Sequence, residues 1–259
     1  MTSLDVREVP GFSSLIREYV HDFSRLSAYY ARNPRLDGEY ATLAGLCDER
    51  DYRRTELRTA LLAQQAAWGA PAAVRARIDE LCNPAGLAVC TGQQTGLFGG
   101  PLFTVYKALT AVAWAERLQQ SLQRPVVPLF WMASEDHDVA EADHVHVADR
   151  GGELVRIRHD AWQTPGGFMP ANLQLGPAIG ETLQRLRTLL PATEFSDAVV
   201  DALARAYAPE RTLAQAFAHW MTRLLGETGL VLVDGADPAL KRLASGVFRR
   251  ELEEAPRTS

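Results

Sequence analysis

No stretch of this 259-residue chain approaches the roughly 18 uncharged apolar residues a membrane-spanning helix needs, and the opening MTSLDVREVP has no apolar signal core. Cysteine is scarce. Cys47, Cys82 and Cys90 show no paired spacing and no C-x-x-C, which argues against a disulfide framework or a zinc site built on them. Basic charge is also short: 27 Lys and Arg face 32 Asp and Glu, a net −5, so the footprint of a nucleic-acid binder is missing. Neither the G-K-[ST] ending of a P-loop nor G-x-G-x-x-G occurs, and no internal repeat or low-complexity segment is visible. These absences predict a reduced, cytoplasmic protein with neither membrane nor nucleic acid as partner. At 47% hydrophobic and 23% charged, the chain can bury a sizeable core in one large domain or two small ones.

What is present centres on residues 86–108, GLAVCTGQQTGLFGGPLFTVYKA. Leu87 to Cys90 is a short apolar run between Gly86 and Gly92, as expected of a strand covered on both faces. Pro101 suits the first turn of a following helix. Gly92, Gly96, Gly99 and Gly100 lie between, where backbone N–H groups and a helix N-terminus could cradle an anion. Thr91, Gln93 and Gln94 add polar atoms able to hold a carboxylate, an amine or a ribose hydroxyl. A glycine-rich connector with polar filler is the plainer alternative. Leu102, Val105, Tyr106, Leu109, Val112 and Ala113 then recur on one helical face, expected to pack on the sheet, with Lys107 on another face either reaching back to the loop or standing as a surface lysine.

Residues 125–132, PVVPLFWM, form a second strand-length run, in which Pro128 would normally mark an edge. At its end stands Ser134-Glu135-Asp136-His137-Asp138. In open α/β sheets ligands collect outside the carboxyl ends of the strands, where this block and the glycine loop would meet. Three carboxylates around one imidazole should keep His137 cationic longer and raise at least one carboxyl pKa. Such a set holds a substrate amine or deprotonates it for attack on an activated carboxyl; the alternative is an acidic turn capping a helix. Asp234 ends a third apolar strand, GLVLVD, as a candidate for a substrate hydroxyl or as a turn residue. His144 and His146 would share one side of a strand and, with His137, Asp138 or Glu141, offer a rival metal-hydrolase reading, though no strong ligand spacing is present.

TGQQTGLFGGPLFTVYKALTA, PVVPLFWMASEDHD and TLAQAFAHWMTRLLGETGLVLVD together resemble the bacillithiol-biosynthesis cysteine-adding enzyme (BshC) family, from the N-terminal helices to about Glu254. The resemblance implies an α/β fold with a Rossmann-like parallel sheet core, related to class I synthetases and nucleotidylyltransferases, plus inserted connecting segments and a coiled-coil dimerisation half. It also implies a reaction joining the carboxyl of L-cysteine to the amino group of glucosaminyl malate, by a homodimer at full length. On this reading the loop residues, Lys107, Ser134, Glu135 and Asp234 bind substrate or nucleotide, while His137, Asp136 and Asp138 orient or deprotonate the amine. Whether ATP or another nucleotide activates the carboxyl is left open, and no resident metal is expected. An inactive or split-enzyme binding module is the alternative from another class.

The remaining pattern gives the organisation. Residues 12–31 read as one amphipathic helix holding a solvated His21, 39–68 as a second, broken at Gly69-Ala70-Pro71 from a third over 72–81. Arg53, Arg54 and Arg58 form a basic stripe among acidic neighbours, read as a solvated face. The segment 164–177 reads as a loop-rich insertion or lid in which Phe168 and Met169 plug a small core, and 178–226 as three helices with His219 packed or solvated. The expected divisions are N-terminal helices over 1–84, the first part of the core over 85–143, a mostly helical connecting segment over 144–226, and a truncated core strand and helix over 227–259. Three parallel strands are fewer than a doubly wound sheet needs, so half of the fold is expected to be missing.

Overall fold

The computed structural model describes residues 5–30, 32–162 and 169–258. It divides into a unit of residues 1–50 and a unit of residues 51–259. In the first, helices α1 (Ser14–His21) and α2 (Asp37–Asp48) flank a 3-10 turn, Phe23–Leu26. The expected helix over 12–31 is therefore shorter. Asp22, at φ −140° and ψ 64°, leaves helical geometry after His21, and the chain turns so that Tyr19, Phe23 and Tyr30 pack with ring centroids 5.3–5.6 Å apart.

The second unit carries helices α3 (Arg54–Ala67), α4 (Ala72–Cys82), α5 (Phe103–Leu122), α6 (Val139–Ala142), α7 (Ile179–Leu189), α8 (Ser196–Ala206), α9 (Leu213–Leu225) and α10 (Pro238–Thr258). Its strands are β1 (Leu87–Gln94), β2 (Val126–Ala133), β3 (His144–Ala148), β4 (Leu154–Arg158) and β5 (Val231–Asp234). The helix expected over 39–68 is two helices, because Arg53 adopts the left-handed conformation (φ 49°) and its N–H is taken by the Asp51 carboxylate at 2.9 Å. The arginine stripe is likewise absorbed locally: Arg53 pairs with Glu56, Arg58 with Asp79, and Arg54 donates to the Leu81 and Gly86 carbonyls.

Strands β1, β2 and β5 form a parallel sheet in the order β1-β2-β5. Pro128 thus lies in the central strand, not at an edge. The ladder to β5 begins at Leu129, one residue later, so the missing N–H costs no β5 bond. Alternation along the strands serves two layers: Val127, Val231 and Val233 pack on α3 and α4 through Leu61, Val74 and Ile78. Phe130, Met132 and Leu232 face α5 and α9 through Ala108, Val112, Phe217 and Met221. Each fully buried large side chain of this kind contributes about 1.5–3 kcal/mol relative to exposure.

Two packing expectations fail. Strand β1 is covered on one face only, since Ala88 and Cys90 are exposed. Helix α5 meets the sheet through Thr104, Ala108, Ala111, Val112 and Ala115, so Val112 packs inward as expected while Tyr106 and Leu109, with Leu102 just before the helix, turn outward. The 144–226 segment contains the antiparallel β3–β4 hairpin and the three expected helices α7, α8 and α9. Of the expected 164–177 lid, residues 164–168, Phe168 included, lie outside the described residues.

Candidate functional site

The carboxyl ends of β1, β2 and β5 bring the two chemical blocks together. Strand β1 runs further than its apolar run suggests, so Thr91, Gly92, Gln93 and Gln94 are strand residues, paired with Phe130 to Ala133. Gly92 is required here by packing: a Cβ on it would stand 2.8 Å from the Trp131 carbonyl oxygen. At the strand end, the Gln94 side-chain amide donates to Asp136 Oδ2 at 2.6 Å, and the Asp138 N–H donates to Asp136 Oδ1 at 3.0 Å. These bonds, that of Asp138 first and that of Gln94 second, hold the Asp136 carboxyl below the usual aspartate range. For this residue, hydrogen bonding outweighs desolvation by burial, which acts in the opposite direction.

The rest of the block is distributed by the fold. Ser134 is fully buried, donates its hydroxyl to Asp234 on β5, and accepts the Ala236 N–H at 3.2 Å. Glu135 points outward to Lys241 of α10, 2.7 Å away. Asp138 caps α6, accepting the Glu141 N–H at 3.3 Å. His137 is exposed, and its ring forms no hydrogen bond or ion pair among the described residues, so it is not enclosed by the three carboxylates. Lys107 does reach the loop side: its Nζ donates to the Gly92 carbonyl at 3.0 Å and to Gln93 Oε1 at 2.9 Å.

The glycine turn is braced from within. The Gly99 N–H donates to the Tyr207 hydroxyl at 2.8 Å, which itself donates to the Gly96 carbonyl at 3.0 Å. The Gly100 N–H is taken by the Leu97 carbonyl at 2.9 Å. Gly99 has φ +97°, and a Cβ there would meet the Trp220 indole nitrogen at 2.9 Å. The Gly99 and Gly100 amides are thereby committed to the loop itself, which does not fit a nest of free N–H groups for a nucleotide phosphate. Tyr207, wholly buried, is held neutral by burial, its pKa pushed well above the usual tyrosine value.

Two residues of the site carry signals that sequence reading passed over. Gln64 of α3 accepts the Asp234 N–H at 3.1 Å and donates to Asp237 Oδ2 at 2.7 Å. Gln65 donates to the Leu232 carbonyl at 2.7 Å. Two adjacent buried amides in an alanine-rich helix are the clue. Beside them Asp234, Asp237, Lys241 and Asn172 line a cavity of about 360 Å³.

The rival histidines sit elsewhere. His144 Nδ1 lies 3.0 Å from the buried Asp143 carboxylate and 3.2 Å from the Arg156 guanidinium, while Arg158 pairs with Asp143 at 2.6 Å. Two guanidiniums at this spot oppose a divalent cation, and no group of three metal-ligating side chains converges among the described residues.

Comparison with known proteins yields a family model, the N-terminal Rossmann-like domain of bacillithiol biosynthesis BshC, that matches residues 1–259. A protein of Chlorobaculum tepidum named "Putative cysteine ligase BshC" is 38% identical over 96% of this chain and 45% of its own length. Proteins of the same name from Koribacter versatilis and Salinibacter ruber are 38% and 34% identical, over 97% and 96% of this chain and 46% and 45% of theirs. The chain spans somewhat less than half the length of these relatives.

Proposed function

The chain belongs to the BshC family of bacillithiol biosynthesis, as its N-terminal Rossmann-like domain, and from this we propose that it carries the acceptor site of a cysteine ligase that joins the carboxyl of L-cysteine to the amino group of glucosaminyl malate. The observation that carries the reading is the Gln94–Asp136 bond, which fixes an ionised carboxylate where three strands end. Asp136 holds the substrate ammonium by charge. His137, exposed beside it with its ring uncommitted, takes a proton from that nitrogen. The freed amine attacks the cysteine carboxyl carbon, already carrying a leaving group; as the amide C–N bond forms, the bond from that carbon to the leaving oxygen breaks, and the second nitrogen proton passes to the departing oxygen. No step is assigned to a nucleotide, in keeping with the internally bonded glycine loop.

The flanking groups match an acceptor that is both a sugar and a dicarboxylate. Lys107, bonded at Gly92 and Gln93, and Lys241, paired with Glu135, supply ammonium groups. Asp234 and Asn172 supply acceptors and donors for sugar hydroxyls in the adjoining cavity. Full-length relatives are proposed to work as homodimers, and a cytoplasmic location fits the described residues, in which no helix is long and apolar enough to cross a membrane.

The test is calorimetric titration of the folded chain with glucosaminyl malate and with L-cysteine, beside Asp136→Asn and His137→Ala. Saturable binding of glucosaminyl malate, weakened about tenfold by Asp136→Asn, is the expected result. A folded chain that binds neither molecule would overturn the assignment of the acceptor site to this domain. A second reading, a binding module that works only in an assembly, is favoured by the outward-facing Leu102, Phe103 and Tyr106. It predicts binding without amide formation when both substrates are supplied with the cysteine carboxyl activated.

A further inference from the structure

Three guanidinium groups and one imidazole line a second cavity, of about 440 Å³, that shares no residue with the site at the strand ends. It is bounded by the α3–α4 turn at Trp68 and Pro71, the end of α8, and the later turns of α9. Arg205, Arg211, His219 and Arg223 face a single acid there, Glu227, in a chain whose overall charge is −5.

These groups are not structural ion pairs. Arg58, Arg77, Arg158 and Arg187 elsewhere are each matched with a carboxylate, whereas the Arg205 and Arg223 side chains have no hydrogen-bond or ion-pair partner among the described residues. Arg211 is different: its Nη1 donates to the Arg205 and Ala206 carbonyls at the end of α8, which fixes the third guanidinium in place. The His219 ring makes no hydrogen bond among the described residues, and burial and the charge of Arg211 push its pKa down. On the same wall Thr222 is nine-tenths buried, and its hydroxyl has no hydrogen-bond partner among the described residues. Three clustered guanidiniums against one carboxylate leave an excess of like charge, which is unfavourable by itself and is relieved by a bound anion.

We infer that this cavity binds a small molecule carrying paired oxyanions, either a phosphate ester or a polycarboxylate. Both present the planar or tetrahedral oxygen pairs that guanidinium forks recognise. The volume lies within the range of about 300–1,000 Å³ that small-molecule sites occupy.

The experiment is calorimetry of the intact chain in phosphate-free, low-salt buffer with inorganic pyrophosphate in one arm and citrate in the other. Each is repeated on Arg205→Ala/Arg223→Ala and on Asp136→Asn. Both arginines are exposed, so the double variant should keep the wild-type urea midpoint. Saturable binding of one equivalent, at least about tenfold weaker in the arginine variant and unchanged in Asp136→Asn, is expected, and the tighter arm identifies the source of the oxyanions. Absence of saturable binding in both arms overturns the proposal. So does binding that the arginine variant leaves intact, or that Asp136→Asn abolishes.

Discussion

Gln94 and Asp136 are joined at 2.6 Å across the carboxyl ends of neighbouring parallel strands. The bond makes one unit of two segments that sequence alone places 42 residues apart. Its consequence is electrostatic: a carboxylate that accepts one backbone and one side-chain N–H keeps its charge to lower pH than a free aspartate.

The first prediction follows from that sign. Asp136 has its pKa depressed in the fold, so the stability it contributes is present above the pH at which an unfolded aspartate titrates and is lost as pH falls through the folded value. Gln94→Ala removes one of the two donors and leaves the Asp138 N–H. The Asp136 midpoint, followed by carboxyl carbon NMR, should therefore rise toward the ordinary aspartate value without reaching it. A midpoint that does not move in Gln94→Ala would show that the glutamine bond has no effect on the charge.

Ser134 ties β2 to β5 from a fully buried position. Ser134→Ala takes the hydroxyl donor from the Asp234 carboxylate, leaving that oxygen with the Ala236 N–H at 3.0 Å. Hydrogen bonds to charged groups are worth about 1.5–3 kcal/mol, so a loss of this order is expected. It should appear in urea denaturation as a lower midpoint at unchanged slope. A changed slope would point instead to an altered denatured or native ensemble.

Tyr207 braces the glycine turn by accepting from Gly99 and donating to Gly96. Tyr207→Phe leaves a buried N–H and a buried carbonyl without that partner, and should cost about 1–3 kcal/mol near neutral pH. The pH dependence has a definite sign. Burial raises the folded tyrosine pKa above the ordinary value near 10, so the contribution is full below that value and is lost as the pH rises from it toward the folded pKa. The variant should accordingly lose stability less steeply than the wild type above about pH 10, as measured by thermal melts across the alkaline range.

Much of this architecture is legible along the chain because its signals are local. Thr212 caps α9 in a reciprocal box with Gln215, Asp237 accepts the Ala239 N–H at the start of α10, and the apolar runs of β2 and β5 are strand-length. Where the outcome depends on distant partners, the pattern misleads. Arg53 breaks a run of strong helix formers by one left-handed residue, and Pro128 enters a central strand only because β5 pairs from Leu129 onward. The same division holds for the site. The composition of the acidic block and the glycine loop marks the place, but the roles of Gln64, Tyr207 and Lys241 are set by contacts made across more than 100 residues.

Lys107 separates function from stability. Its ammonium bonds to the Gly92 carbonyl and to Gln93 but is exposed, so Lys107→Ala should change the unfolding free energy by no more than about 0.5 kcal/mol. If the ammonium meets a substrate carboxylate, as proposed, affinity for glucosaminyl malate falls by about tenfold. The salt dependence of binding becomes shallower as well, because one attraction that salt screens has been removed. Lys107→Arg should restore the salt dependence more fully than the affinity, since the guanidinium keeps the charge but not the geometry of the two bonds. Equal affinity and equal salt dependence in Lys107→Ala and wild type would assign the residue to holding the end of β1 alone, and Lys241 would be left as the proposed cation beside the acidic block.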